Sequence, residues 1–525
     1  MEILIERLVS GAIAKLKQSG ELPAEADEKF VVGKPRKEEW GDYAVTAAMG
    51  LAKSLKRDPL SIANLITSNI EKNPAVDSIE VVRPGFINFR ITPAAFISEL
   101  KEIRERGSAY GRIEAKIPKS ILVEFVSANP TGPLHVGHGR AAVFGDILCN
   151  LLEWAGGKVE REYYVNDIGR QMNLLGLSLY HRGREALGIK ETYPEECYKG
   201  DYVRDIAGKF LEEFGESCLN SPFEANSAVF IKYISDNILD GIKSDLEAVG
   251  TRFDRWFRES FLHESRRVER AISTLAGNGY IYNEEGKLKF KSTLFGDEED
   301  RVLRRDNGLY TYFASDVAYH IEKFERGYDV LIDIWGSDHH GYIPRVNASI
   351  EAAGFDRKKF EVLLIQFVSL LREGQAVSMS TRSGEFIPFR SVIDEVGGDA
   401  IRFFILMRRC DAHVEFDLEL AKKQSLENPV YYVQYGHARI CSILRKAAGM
   451  GYDVPEFSKS FAEILTLPEE IRTARILAGF PYLIKNSALA REPHHVTFYL
   501  IELIKEFHSY YTKYKHTEKV LSDDK

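Results

Sequence analysis

Cysteine is scarce in this 525-residue chain: only Cys149, Cys197, Cys218, Cys410 and Cys441 occur, and none forms a C-x-x-C pair. That argues against a cysteine-based zinc site and a disulfide framework, and it suits a reducing compartment, so the cytoplasm is the expected location. No stretch approaches the roughly 20 apolar residues that a membrane span requires. The opening segment MEILIERLVSGAIAKLKQ also lacks the unbroken apolar core of a signal peptide. Its Ile3, Leu4, Leu8, Ala12 and Leu16 instead mark one stripe of an amphipathic helix. Excess positive charge is missing too. A net charge of −8 counts against a general nucleic-acid coat protein, so any nucleic-acid enzyme must concentrate its basic residues locally. Lys422–Met450 is one candidate, with five Lys/Arg, one acidic residue and Tyr431, Tyr432 and Tyr435 between them. Taken alone, such a stretch is more often a solvated helix face.

What is present is an ordinary globular profile, 44% hydrophobic and 28% charged, on a chain too long for a single core. Residues 1–116 read as a small α/β module: an opening helix, helices near 42–55 and 61–72, a strand-like run at 79–89 and a charged helix at 101–106. From Ser120 the character changes. Ile121–Val126 is a nearly continuous apolar run, the mark of a strand buried on both faces of a parallel sheet. A Gly/Pro-rich turn, a helix over 140–154 and a second apolar strand at 159–165 complete a β–α–β unit of Rossmann type. Further buried strands are predicted at 328–335 and 360–368, with a helix at 342–353 between them. The expected organisation is therefore α/β. It has an N-terminal module, a Rossmann-type parallel-sheet domain over 117–396 with a helical insertion at about 180–301, and an all-α domain over 397–525.

The first strand-to-helix turn reads VEFVSANPTGPLHVGHGR. In an open α/β sheet, ligands gather at the carboxyl ends of the strands, where a helix N-terminus attracts anions. His135 and His138 stand three apart and can face one point at that helix start, donating N–H groups to phosphate oxygens. Gly137 leaves room for a flat adenine against the backbone. The plainer alternative is that both histidines are ordinary caps.

H-V-G-H resembles the HIGH signature of class I aminoacyl-tRNA synthetases, which small single-domain nucleotidyltransferases share. The modules on both sides of the site favour a synthetase. The stretches EFVSANPTGPLHVGHGR, YYVNDIGRQM, YFASDVAYH, WGSDHHGY, GGDAIRFF and NPVYYVQYGHARI resemble the arginyl family specifically, and GDYA (41–44) with PGFINF (84–89) extend the resemblance to the N-terminal module. It implies a cytoplasmic arginine–tRNA ligase, a monomer with ATP and Mg2+ as cofactors and tRNA and L-arginine as partners. The carboxylate of arginine attacks the α-phosphate of ATP, and a terminal ribose hydroxyl of tRNA then takes the arginyl group. No protein nucleophile takes part, and no residue holds a fixed metal. Family members generally need tRNA present for the first step.

The resemblance also assigns residues. Its amino-acid pocket implies Glu124, Ser127, Asn129, Tyr312, Asp316 and Asp338, an acidic set suited to a guanidinium, which is a planar fork of donors. The mobile KMSKS loop of the class falls on AVSMSTRSGEF, where Met379 and Ser380 match but Ser378 and Thr381 replace both lysines. Some arginyl enzymes compensate with a lysine just before the HIGH turn, but here that place is Gly132. Arg382 is left as the expected phosphate cation. For tRNA, Phe86 and Asn88 resemble residues that grip the elbow, and Asn428 and Tyr432 sit in the anticodon-binding region. Phe86, Tyr431 and Tyr435 could equally be core residues. The chain stops at VLSDDK where the family usually continues, so a truncated or short member is expected. Rival readings are another class I synthetase, disfavoured by the acidic pocket and the missing zinc spacing, and a catalytically weak RNA-binding paralogue.

Overall fold

The computed structural model describes residues 1–26, 29–377, 387–452, 457 and 461–515, apart from the side chains at 38 and 462. The segment that carries Met379, Ser380 and Arg382 lies outside the described residues. The chain forms two compact units. One combines residues 1–114 with 432–487 and 498–525, and the other combines 115–431 with 488–497.

The first unit joins both ends of the chain. Its opening helix, Glu2–Gln18, buries Ile5, Val9, Ala12, Ile13 and Leu16. The buried stripe therefore differs from the expected one: Ile3 is exposed, and the core face runs through Ile5 and Val9. That face follows the 5-9-12-13-16 spacing of a 3.6-residue period more closely than the run 3-4-8-12-16 does. An antiparallel sheet, in the order Val32–Gly33, Tyr43–Val45, Phe86–Ile91, Val76–Val82, packs beside it. Ala474 and Ala478, from the helix Pro468–Ala478, close the same core.

The second unit is built on five parallel strands. These are β1 (Ser120–Glu124), β2 (Lys158–Val165), β3 (Arg255–Arg258), β4 (Val330–Gly336) and β5 (Phe360–Ile365), arranged 5-4-1-2-3. Helix α1 (Val136–Trp154) links β1 to β2, and α2 (Tyr312–Glu325) precedes β4. Strand order reverses between β1 and β4, which pair Val330 with Ile121 through Asp333 with Glu124. A crevice opens beyond the carboxyl ends of the strands at such a reversal.

Five strands escape the sequence pattern. β3 is a four-residue edge strand, RWFR, with exposed arginines at both ends. The region expected to be a helical insertion also contains an antiparallel sheet, Ile281–Glu284, Lys287–Phe290 and Arg301–Arg304. Among the described residues, the expectation of helix throughout after Gly398 has one exception. Val414–Asp417 buries Val414 and Phe416 alternately and pairs in parallel with Val368–Arg372, inside the second unit. From Tyr432 onward the described chain is helical or irregular.

Candidate active site

The turn after β1 is held in an unusual backbone conformation. Val126 and Ser127 are both left-handed, at φ 69° and 41°. For a β-branched valine this is a strained state, sustained only where surrounding structure imposes it. The imposing contacts are visible: the Tyr163 hydroxyl donates to the Ala128 carbonyl (2.9 Å), Tyr164 N–H donates to Ser127 Oγ (3.1 Å), and the Tyr202 hydroxyl donates to the Thr131 carbonyl (2.6 Å).

The turn delivers His135 as the N-cap of α1. Gly137 N–H donates to His135 Nδ1 (3.1 Å), and His135 N–H donates to His138 Nδ1 (3.3 Å). Because each Nδ1 accepts, the ring proton of each neutral imidazole sits on Nε2. The rings stack with centroids 3.8 Å apart. Burial holds the His135 pKa below its ordinary value, and burial together with the neighbouring His135 pushes His138 down to about 3. Both rings are thus neutral N–H donors at a helix N-terminus, a suitable arrangement for phosphate oxygens. A side chain at Gly137 would place its Cβ 2.9 Å from the His135 ring, and one at Gly139 would strike Phe389 at 2.4 Å. The described residues just after position 386 are tied to this turn: Phe389 N–H donates to the Leu134 carbonyl (2.7 Å), and Pro388 bridges His135. Buried Arg140 donates to four carbonyls, those of Gln366, Phe367, Arg409 and Ala412. It thereby fixes the start of α1 to the segments that follow β5.

Beside the turn, at the reversal point, lies a cavity of about 310 Å³. Glu124, Val126 and Ser127 from the end of β1 line it, together with Tyr164 from β2, Asp316, Tyr319 and His320 from α2, and Asp333–Gly336 from β4. Tyr342 and His339 close it. Its acids are treated differently. Asp316 accepts from the Tyr342 hydroxyl; burial raises its pKa, against the pull of Tyr342, His320, Lys323 and Arg345. Glu124 accepts from Ser127 Oγ (2.7 Å) and from Lys323, and burial keeps its pKa above the ordinary value. Asp333 is also buried, yet Lys323 and His320 outweigh the loss of water and hold its carboxyl low. Behind Asp316 stands Glu259, which burial, with Asp316 and Asp167 nearby, pushes up to about 7.

Of the six expected arginine contacts, the structure brings Glu124, Ser127 and Asp316 together in the cavity lining. Asn129, Tyr312 and Asp338 are exposed and outside that lining. Asn129 donates to Gln171 (3.1 Å), and Tyr312 is the first residue of α2. Lys323, His320, Asp333 and Tyr342 were not among the candidates. The signal for two of them was present, since 316, 320 and 323 stand at i, i+4 and i+7 on one helix face.

The expected tRNA contacts divide. Phe86 is half-buried on the strand Phe86–Ile91, and Tyr432 is half-buried with its ring 4.9 Å from that of His508. Asn88 is buried on the same strand as Phe86, paired with Glu80. Asn428 is buried as well, and its amide is used in full. It donates to the Ala421 and Lys423 carbonyls and accepts from Val430 and Tyr431, capping the helix Pro429–Gly449. Among the described residues, Glu492, His494 and His495 bring possible metal-ligand atoms within 4.8 Å of one another, but Arg409 already pairs with Glu492 at 2.8 Å. None of the described helices is long and apolar enough to cross a membrane.

The parallel sheet and the helix-start histidines define a class I aminoacyl-tRNA synthetase domain. Consistent with that, residues 99–410 match the tRNA synthetases class I (R), catalytic domain. Residues 4–91 match the arginyl tRNA synthetase N terminal domain, and 433–525 match the DALR anticodon binding domain. The chain is 49% identical to the arginine–tRNA ligase of Syntrophotalea carbinolica, over 93% of this chain and 88% of that protein. It is 43% identical to that of Thioalkalivibrio sulfidiphilus, over 98% and 94%. The Thermus thermophilus arginyl-tRNA synthetase shares the fold at a TM-score of 0.75 and 23% identity, covering 97% of this chain and 92% of that one.

The chain belongs to the arginyl-tRNA synthetases. It activates L-arginine with ATP and transfers the arginyl group to tRNA.

Proposed function

We propose that the cavity at the sheet reversal is the arginine pocket and that the HVGH turn is the ATP site, the two meeting at the carboxyl end of β1. The observation that carries this assignment is the pairing of an acid-lined cavity with a neutral histidine pair on one strand exit. Asp316 is assigned to the guanidinium, where a carboxylate in low dielectric pairs best with a planar fork. Glu124 and Ser127 accept from the remaining donors of arginine. Asn129, Tyr312 and Asp338 are assigned to the rim and reach substrate only when it is bound.

His135 and His138 donate through Nε2–H to the phosphates, and more strongly as charge builds on the α-phosphate during in-line attack. Gly137 gives the adenine access to the backbone. Met379, Ser380 and Arg382 are proposed to cover the phosphates, with Arg382 opposite the leaving pyrophosphate. Catalysis then rests on position and electrostatics, without a protein nucleophile. Mg2+ enters with ATP. The donors of the turn are N–H groups, which suit phosphate oxygens and not a cation, so no residue there is assigned to the metal.

Phe86 and Tyr432 are proposed to touch tRNA directly, while buried Asn88 and Asn428 shape the surfaces that do so. The enzyme is expected to work as a cytoplasmic monomer, which light scattering of the purified protein checks. ATP–pyrophosphate exchange with arginine, measured with and without tRNA, tests the site assignment when applied to variants at Asp316 and His138. Unchanged kinetics in both variants would remove it.

A further inference from the structure

Beneath the cavity lies a fully buried lysine that the activity as described does not use. Lys323 is 0% exposed. Its ammonium donates to Glu124 Oε2 on β1 and to Asp333 Oδ1 on β4 (2.7 Å), and it rests 4.3 Å over the Tyr319 ring. A buried ammonium is sustained only by close anionic partners, and breaking such a group leaves an uncompensated charge.

His320 completes the arrangement. Its Nδ1 faces the Asp316 carbonyl (2.7 Å) and its Nε2 faces Asp333 Oδ2 (3.1 Å). Both ring nitrogens thus face acceptor oxygens. Glu162, the next buried carboxylate, is taken by the Arg326 fork (2.6 and 2.8 Å) and the Tyr319 hydroxyl (2.6 Å). Across the cavity, Tyr342 donates to Asp316, and Arg345 lies over the Tyr342 ring. Among the described residues, Glu124, Asp333 and Glu162 each have a lysine or arginine in direct contact, whereas Asp316 accepts from the Tyr342 hydroxyl.

We propose that Lys323 is a positioning residue for amino-acid selection: it locks Glu124 and Asp333 into a charge-compensated floor and leaves Asp316 to receive the guanidinium. The inference rests on the assignment of this cavity to arginine. In its absence, two carboxylates buried side by side cannot both ionise, and they share a proton that is lost as pH rises. Lys323 therefore does two things at once. It orients Glu124 toward the cavity, and it keeps the charge on Glu124 and Asp333 constant with pH.

The test is arginine-dependent ATP–pyrophosphate exchange with tRNA present, across about pH 6 to 9, on folded variants checked by circular dichroism. In the parent enzyme the arginine KM should vary by no more than about threefold over that range. Lys323→Met should raise it about tenfold near neutrality, with kcat changed less, and should make it fall steadily as pH rises. Lys323→Arg, which keeps the charge, should restore the shallow profile even if KM stays elevated. A folded Lys323→Met enzyme with parental KM and a parental profile would overturn the proposal. If Lys323→Met does not fold, Lys323→Met/Asp333→Asn removes one charge of each sign. It should show a raised KM with a shallow profile, and a parental KM there would overturn the proposal equally. Asp316→Asn separates the two claims: an unchanged arginine KM in that variant sinks the pocket assignment whatever Lys323 does.

Discussion

The two halves of the proposed site meet on one strand exit and handle charge in opposite ways. On the proposed ATP side the donors at the helix start carry no formal charge. Two neutral imidazoles, fixed by backbone N–H groups and kept neutral by burial, present N–H donors at a helix start. On the proposed arginine side the protein offers a cation several buried carboxylates: Lys323 compensates Glu124 and Asp333, whereas no lysine or arginine among the described residues pairs with Asp316. The difference follows from what each ligand brings. Phosphate charge grows during the reaction, so oriented dipoles that need no reorganisation serve it best. The guanidinium charge is permanent, so a fixed carboxylate serves it best, and the surrounding acids must then be silenced.

Removing the donor at His138 should cost most. His138→Ala is expected to lower kcat about several hundredfold, as loss of an oriented donor does, with little change in arginine KM. Steady-state exchange kinetics check this. Asp316→Ala should cost about 3 kcal/mol of arginine binding, a rise in KM of roughly 150-fold, while tRNA affinity by filter binding stays nearly unchanged. Arg382→Ala should slow adenylate formation by about tenfold or more in single-turnover experiments, more than it weakens arginine binding. Parental activity there would place the phosphate cation elsewhere.

The smallest effect concerns Glu259. Its folded pKa of about 7 lies above its ordinary value, so it is neutral below that pH and anionic above. Rising pH then adds negative charge near Asp316, and arginine KM should fall about two- to threefold between pH 6 and 8. Stability runs the other way. The raised pKa favours the fold below the unfolded value, and that contribution is lost as pH rises through 7. Glu259→Gln should abolish both trends, the first read by kinetics and the second by thermal melts at several pH values.

The parallel sheet was legible because β1 and β4 are buried along most of their length and read as apolar runs, with the largely apolar β5 beside them and the apolar end of β2 following the first helix. β3, Val414–Asp417 and the sheet over 281–304 were not, because short or half-exposed strands carry charged residues that mimic surface helix. The turn and its two histidines as N–H donors were legible as a motif, but the ring nitrogen that carries each proton was not. Which ring nitrogen carries the proton depends on backbone N–H groups that only folding brings within 3.1 and 3.3 Å. In the pocket, Asp316 and Glu124 were found by resemblance, whereas Lys323 and Asp333 were not. A lysine on a charged-looking helix, YFASDVAYHIEKFERG, gives no sign that its far end is buried between two strands. Asn428 shows the converse, a polar residue in a suggestive stretch whose side chain is taken up by local backbone, two carbonyls before it and two N–H groups at the helix start.

Measuring KM for ATP and for arginine in both His138→Ala and Asp316→Ala tests the division of the site most directly. The division predicts a crossed result, in which Asp316→Ala raises the arginine KM alone and His138→Ala lowers kcat or weakens ATP alone. If either variant impairs both substrates equally, or Asp316→Ala affects ATP more than arginine, the two halves are not what their charges indicate.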